Sequence, residues 1–81
     1  MTKEVIMPKL TLTMDKGILN LWYKKEGEFV QKGEALFEVE ADKTNFVIES
    51  DYSGFFVKAI VNPGEEVQVG KVICYIEEKE E

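Results

Sequence analysis

Histidine is absent from the 81 residues, cysteine occurs once and proline twice. Without histidine there is no imidazole to act as a general base, to complete a nucleophilic triad or to ligate a metal. The single cysteine, Cys74, cannot close an internal disulfide, which suits a reducing, cytoplasmic setting. Positive charge is also scarce: 10 Lys plus Arg face 16 Asp plus Glu, a net charge of −6. A nucleic-acid binder must displace counterions from phosphate with a cationic surface, and an anionic membrane makes the same demand, so neither partner fits. Long apolar runs are missing too. The longest is Val72-Ile73-Cys74-Tyr75-Ile76, far short of the roughly 20 residues that cross a bilayer. The opening Met1-Thr2-Lys3-Glu4 has no signal-peptide profile. These absences leave a small, acidic, soluble domain with little equipment for catalysis.

What is present is a globular composition, 44% hydrophobic, 32% charged and 11% aromatic, which excludes disorder and low-complexity classes. The length allows one domain. Runs rich in Val, Ile, Phe and Tyr predict strands at Glu4–Met7, Ile18–Lys24, Ala35–Glu40, Asn45–Ser50, Phe55–Val61 and Val72–Glu77. Turn signals separate them: Asp15-Lys16-Gly17, Glu26-Gly27-Glu28, Gln31-Lys32-Gly33, Ala41-Asp42-Lys43-Thr44, Ser53-Gly54, Asn62-Pro63-Gly64 and Val69-Gly70. Pro63-Gly64 suits the central positions of a type II turn, because proline presets the first φ and glycine accepts a positive second one. No stretch carries a helical period, and the chain reads as all-β.

An internal repeat organises these strands. At an offset of 37 residues, Gly27, Glu28, Val30, Gln31 and Gly33 meet the identical residues Gly64, Glu65, Val67, Gln68 and Gly70. Gly17-Ile18-Leu19 overlays Gly54-Phe55-Phe56, and Leu36, Val39 and Glu40 overlay Ile73, Ile76 and Glu77. The matches are turn glycines and strand apolar residues, the positions that set backbone shape. Halves this small cannot bury separate cores, so they should share one, related by a pseudo-twofold. The glycine pairs Gly27/Gly64 and Gly33/Gly70 should all adopt positive φ.

The halves differ where a function could reside. The first continues from Glu38–Ala41 through Asp42-Lys43 into Thr44–Glu49, two strands joined by a tight turn with a lysine at its tip. In the second half the equivalent place falls to the chain termini. A lysine without a neighbouring base is no nucleophile by itself, but at a hairpin tip it can be offered to another enzyme as an acyl acceptor. Asp42 suits the turn because its carboxylate can bond backbone N–H groups two residues on. Most exposed turn lysines only solubilise, so the weight rests on context.

That context resembles a family. Glu40-Ala41-Asp42-Lys43-Thr44, within the pattern of Gly17, Gly27, Gly33, Gly54, Gly64 and Gly70, is similar to the lipoyl domains of 2-oxo acid dehydrogenase complexes, part of the biotinyl/lipoyl carrier family. The opening Met7-Pro8-Lys9-Leu10-Thr11-Leu12-Thr13-Met14 followed by Gly17 also resembles them, so the likeness runs from Val5 to Glu77. It implies a flattened barrel of two four-stranded antiparallel sheets, one carrying the lysine hairpin and the other both termini. It implies lipoate amide-linked to Lys43, attached by a lipoate ligase or lipoyl transferase. In the family that arm is reductively acylated by a thiamin-dependent decarboxylase, passes the acyl group to coenzyme A at an acyltransferase core, and is reoxidised by dihydrolipoamide dehydrogenase, a flavoprotein. The resemblance implies that the domain itself is no enzyme but a monomeric module of an acyltransferase subunit, of pyruvate or acetoin type from the Met-Pro-Lys-Leu opening. Residues 1–77 would form the carrier, and 78–81 a charged tail or the start of an interdomain linker.

Two rivals differ from this reading. Biotinyl domains share the fold but usually set the lysine between methionines, whereas Lys43 lies between Asp42 and Thr44. An unmodified β-barrel interaction module would explain the acidic surface but not the repeat with one unmatched lysine tip. The chain departs from the family in lacking a proline shortly before Gly54 and in having Ala41 where threonine is frequent. Elsewhere, Trp22 and Tyr23 should point to opposite faces, with Leu19, Leu21 and Tyr23 on one and Ile18 and Trp22 on the other. Cys74 should behave as a small buried hydrophobe. The segment Leu10–Met14 either covers a barrel end or, as the resemblance implies, lies beside the lysine turn and helps the decarboxylase recognise the domain.

Overall fold

Four glycine turns set the frame. A computed structural model describes residues 1–79 of the chain; Glu80 and Glu81 of the expected tail lie outside the described residues. Gly27 and Gly64 adopt φ of 91° and 93°, and Gly33 and Gly70 adopt 94° and 91°, a region in which a Cβ is penalised. Each turn is closed by a backbone bond. Glu28 N–H donates to the Lys25 carbonyl at 3.0 Å and Glu65 N–H to that of Asn62 at 3.1 Å, with like bonds from Glu34 to Gln31 and from Lys71 to Gln68. Pro63-Gly64 therefore fills the expected type II positions. The repeated glutamates brace the same turns. The Glu28 carboxylate accepts the Lys25 N–H and the Glu65 carboxylate the Asn62 N–H, both at 2.6 Å.

Between the turns run β1 (Thr2–Ile6), β2 (Lys16–Trp22), β3 (Phe29–Val30), β4 (Ala35–Ala41), β5 (Thr44–Glu49), β6 (Gly54–Ala59), β7 (Glu66–Gln68) and β8 (Val72–Glu78). They form two four-stranded sheets, β1-β8-β6-β3 and β5-β4-β2-β7, with every pairing antiparallel. This is the flattened two-sheet barrel expected. Six strands are legible from composition, with ends displaced by at most two residues. β3 and β7 are not among them, because two or three residues are too short to display an alternating pattern. No described residue is helical, so no helix is long and apolar enough to cross a membrane.

The 37-residue offset carries β2, β3 and β4 onto β6, β7 and β8, and carries one sheet order onto the other. The halves interlock: β3 pairs with β6, and β7 pairs with β2. Gly27 N–H donates to the Phe56 carbonyl and Phe56 N–H to that of Glu28, both at 2.8 Å. Their counterparts run from Gly64 to Leu19 at 2.7 Å and from Leu19 to Glu65 at 3.0 Å. Even the register shifts match, between Leu19 and Leu21 in β2 and between Phe56 and Lys58 in β6.

The shift in β2 corrects the expected facing of its residues. An extra residue at Asn20 breaks the strict alternation, so Leu19 is fully buried while Leu21 and Tyr23 are exposed. Trp22 turns inward instead. Its ring packs at 5.5 Å from Phe37 of one sheet and 5.3 Å from Phe56 of the other, and its indole N–H donates to the Val61 carbonyl at 2.9 Å. One core fills the space between the sheets, drawing Leu19, Leu36, Phe37 and Val39 from the first half and Phe56, Ile73, Cys74 and Ile76 from the second.

The two kinds of glycine should respond differently to substitution. A Cβ on Gly54 would lie 2.1 Å from the Glu77 carbonyl oxygen, whereas one on Gly27 would meet open space at an unfavourable φ. Gly54→Ala should therefore cost about 3 kcal/mol and Gly27→Ala about 1 kcal/mol in chemical denaturation; equal losses would contradict the close strand approach. The Glu34 carboxylate accepts the Gln31 N–H at 2.7 Å and has Lys24 Nζ at 3.3 Å. The backbone bond first, and then the lysine, hold its pKa below the ordinary carboxylate value. A depressed folded pKa contributes stability above the unfolded value, and that contribution disappears as pH falls through the folded one. The melting temperatures of wild type and Glu34→Gln should thus differ near neutrality and converge in acid, and a gap independent of pH would refute the assignment.

Candidate lysine-presentation site

Ala41 at the end of β4 pairs directly with Thr44 at the start of β5, leaving Asp42 and Lys43 as a two-residue loop. Their φ values are 51° and 62°, and they are the non-glycine residues of positive φ in the described chain. Two successive left-handed residues make a type I′ turn, whose twist matches that of the flanking strands. Glycine, asparagine and, less readily, aspartate adopt it; for Lys43 it costs about 1–2 kcal/mol. The strain falls at the one turn without a counterpart in the repeat.

Asp42 does not bond the N–H groups of its own turn, contrary to the expectation from sequence. That pattern belongs to a residue preceding a turn, and Asp42 lies inside one. Its Oδ2 instead accepts the hydroxyl of Thr11 at 2.6 Å and that of Thr13 at 3.3 Å. Both threonines belong to the loop between β1 and β2. Met14 is buried, and Leu10 packs against the core with its N–H directed at Met14 Sδ at 3.2 Å. Met14 N–H also donates to the Thr11 carbonyl at 3.3 Å. Leu10 and Met14 thus cover the barrel end, while Thr11 and Thr13 bring the loop against the lysine turn. Leu12 does neither and is 95% exposed. Sequence reasoning missed the two threonines, because residues 11–13 form a turn, closed by the Met14 N–H to Thr11 carbonyl bond, that meets Asp42 only through the fold.

Lys43 itself is exposed. Among the described residues its Nζ has no ion-pair partner. The turn borders a depression of about 210 Å3 that also includes Met14, Gly17, Ala41 and Glu66. A larger one of about 400 Å3, between Glu4–Ile6 and Ile48–Tyr52, does not include Lys43. Among the described residues no side chain hydrogen-bonds or ion-pairs with the amine, so the arrangement presents it without engaging it. Cys74 takes no part. It is fully buried, and burial pushes its thiol pKa up to about 12. At the other end of the barrel the pseudo-twofold brings the start of β1 and the end of β8 to the equivalent position. The Met1 amine donates to Glu77 Oε2 at 2.6 Å, Thr2 Oγ1 to Glu77 Oε1 at 2.7 Å, and Glu78 N–H to the Met1 carbonyl at 2.9 Å.

Known proteins share this architecture. The biotin–lipoyl family model, described as "Biotin-requiring enzyme", matches residues 3–76. The chain is 40% identical over 76 residues to the dihydrolipoyllysine-residue acetyltransferase component of the acetoin cleaving system of Bacillus subtilis, covering 94% of this chain and 19% of that protein. It is 42% identical over 80 residues to the dihydrolipoyllysine-residue acetyltransferase component 2 of the mitochondrial pyruvate dehydrogenase complex of Arabidopsis thaliana, covering 98% of this chain and 15% of that protein. It therefore spans less than a fifth of the length of either relative. The solution structure of the lipoyl domain of the 2-oxoglutarate dehydrogenase complex from Azotobacter vinelandii superposes with a TM-score of 0.77 at 24% identity, covering 93% of this chain and 95% of that one, a likeness of fold. With the family match extending over nearly all of the barrel, the chain belongs to the biotin–lipoyl family, and within it is a lipoyl domain, a non-catalytic carrier of the kind that bears lipoate covalently on a lysine.

Proposed function

We propose that Lys43 is the attachment point and that the chain is the lipoyl carrier of an acyltransferase subunit in a 2-oxo acid or acetoin dehydrogenase complex. The observation that carries the reading is the Asp42-Lys43 turn, which holds an exposed lysine at the one hairpin tip that the repeat does not duplicate. Residues 1–77 are the carrier module, monomeric when isolated; β8 extends it through Glu78, whose N–H donates to the Met1 carbonyl, so the charged tail or interdomain linker expected over 78–81 follows that residue. A pyruvate-like 2-oxo acid or acetoin as substrate is supported by the relatives at 42% and 40% identity, components of a pyruvate dehydrogenase complex and an acetoin cleaving system. A reducing, cytoplasmic setting accords with the lone buried thiol.

The chain's residues fit such a group. Lys43 is exposed at the β4–β5 turn, and its Nζ, without an ion-pair partner among the described residues, can form an amide. Attachment requires a lipoate ligase or lipoyl transferase, which joins the activated carboxyl to Nζ as the amine gives up a proton and the activating group departs. Bound there, lipoate supplies the disulfide chemistry by which acyl groups and reducing equivalents are carried. The barrel contributes position. It holds Lys43 at one end, leaves the surrounding surface for recognition, and as a tethered module raises the effective concentration of the arm at each partner. Those partners are the thiamin-dependent decarboxylase, the acyltransferase core and dihydrolipoamide dehydrogenase.

Intact-mass measurement of protein produced with and without lipoate tests this reading, with peptide mapping to locate the added group. Wild type should gain one lipoyl group, on Lys43. Lys43→Arg should gain none while keeping its stability to within about 0.5 kcal/mol, as an exposed substitution does. A lipoyl mass retained by Lys43→Arg, or a biotinyl mass in its place, would overturn the assignment.

A further inference from the structure

Thr11 and Thr13 sit 31 and 29 residues before Asp42 in the chain, yet both hydroxyls converge on one oxygen of its carboxylate, at 2.6 Å and 3.3 Å. Nothing in the barrel requires this contact. All three residues lie outside the core, which is complete without them. The loop that bears the threonines is anchored independently, by buried Met14 and half-buried Leu10. The residue it grips is the first of two left-handed residues, a conformation that costs free energy and needs outside support to persist. The second is Lys43. Asp42 φ and Lys43 φ belong to one two-residue turn, so holding the first also limits the second.

We propose that Thr11 and Thr13 are positioning residues for modification of Lys43, acting through Asp42 to keep the type I′ turn in place and so fix the direction in which the amine leaves the barrel. This role rests on Lys43 being the acceptor. In the acylation the Nζ–carbonyl bond forms, the bond between the carboxyl and its activating group breaks, and Nζ releases one proton. The threonines touch none of these atoms. Their contribution is that a ligase meets the amine in one orientation instead of many, with the ordering of the turn already complete. A hydroxyl–carboxylate bond is charge-assisted, and the free energy at stake corresponds to about a tenfold effect on rate.

The test compares wild type with Thr11→Val/Thr13→Val, which keeps side-chain shape and deletes both donors, and with Thr11→Ser/Thr13→Ser, which keeps the donors. In a lipoate ligase assay with lipoate and ATP, the valine variant should lose about tenfold in kcat/KM and the serine variant should regain it. Thermal denaturation of the two should stay close to wild type. Independently of any modification, NMR couplings of the Asp42 and Lys43 amides should report left-handed φ in wild type and the serine variant, and averaged φ in the valine variant. Unchanged couplings in the valine variant, or an unchanged rate, would overturn the proposal. If wild type gained no lipoyl group at Lys43, the proposed attachment site would fall and the positioning role with it. Loss of rate confined to the valine variant leaves attachment standing and supports the clamp.

Discussion

The structure depends on reciprocal stitching between its two halves. Gly27 and Phe56 exchange backbone bonds across the barrel through Glu28, and Gly64 and Leu19 do the same through Glu65. Each stitch joins a glycine turn of one half to a core strand of the other, so each turn is held in place by its partner's strand. The buried side chains beside these bonds, Leu19 and Phe56, are themselves related by the repeat, and Trp22 spans both sheets by packing on Phe37 and Phe56. A chain of this length has little core to draw on. Sharing one core between interlocked halves buries each half's apolar face against the other, and leaves the outer faces of the sheets free.

Against that near-symmetric frame, the function proposed for Lys43 resides in the difference between the ends. At one end β8 finishes beside β1, and Met1 and Thr2 are tied to Glu77. At the other, the equivalent strands β4 and β5 remain covalently joined, and the join is the strained Asp42-Lys43 turn. The strain is tolerated because a rigid sheet pair holds both ends of the turn and a separately anchored loop grips Asp42. A carrier that supplies no catalytic group must rely on geometry, and the geometry is concentrated in these few residues. The larger depression between the edge strands has no part in it, since it lies away from Lys43.

Much of this frame is legible in the residue identities. The glycine positions, the 37-residue offset and the unmatched lysine tip can be read from them, because only glycine readily supplies the positive φ that the repeated turns need and because apolar residues must recur where strands face a shared core. Asp42-Lys43 is recognisable as a tight turn, but its type I′ conformation is not, since aspartate only tolerates a left-handed backbone and lysine gives no sign of one. The facing of Leu21 and Tyr23 escapes the sequence for a similar reason: a bulge at Asn20 leaves no mark in the pattern of residue types, yet it shifts every later side chain of the strand.

The sequence by itself determined the all-β class, the pseudo-twofold frame, the place of Lys43 and the burial of Cys74, all of them consequences of local backbone preference and hydrophobic patterning. Only the tertiary structure decided which residues meet across the chain. β3 and β7 exist as strands because β6 and β2 of the opposite half supply their hydrogen-bond partners. Glu28 and Glu65 are revealed as turn braces by the bonds they accept. Thr11 and Thr13 reach Asp42 because the loop before β2 folds over the barrel end that carries the β4–β5 hairpin. Contacts between residues this far apart in sequence depend on how the sheets pack, and packing is a property of the whole chain.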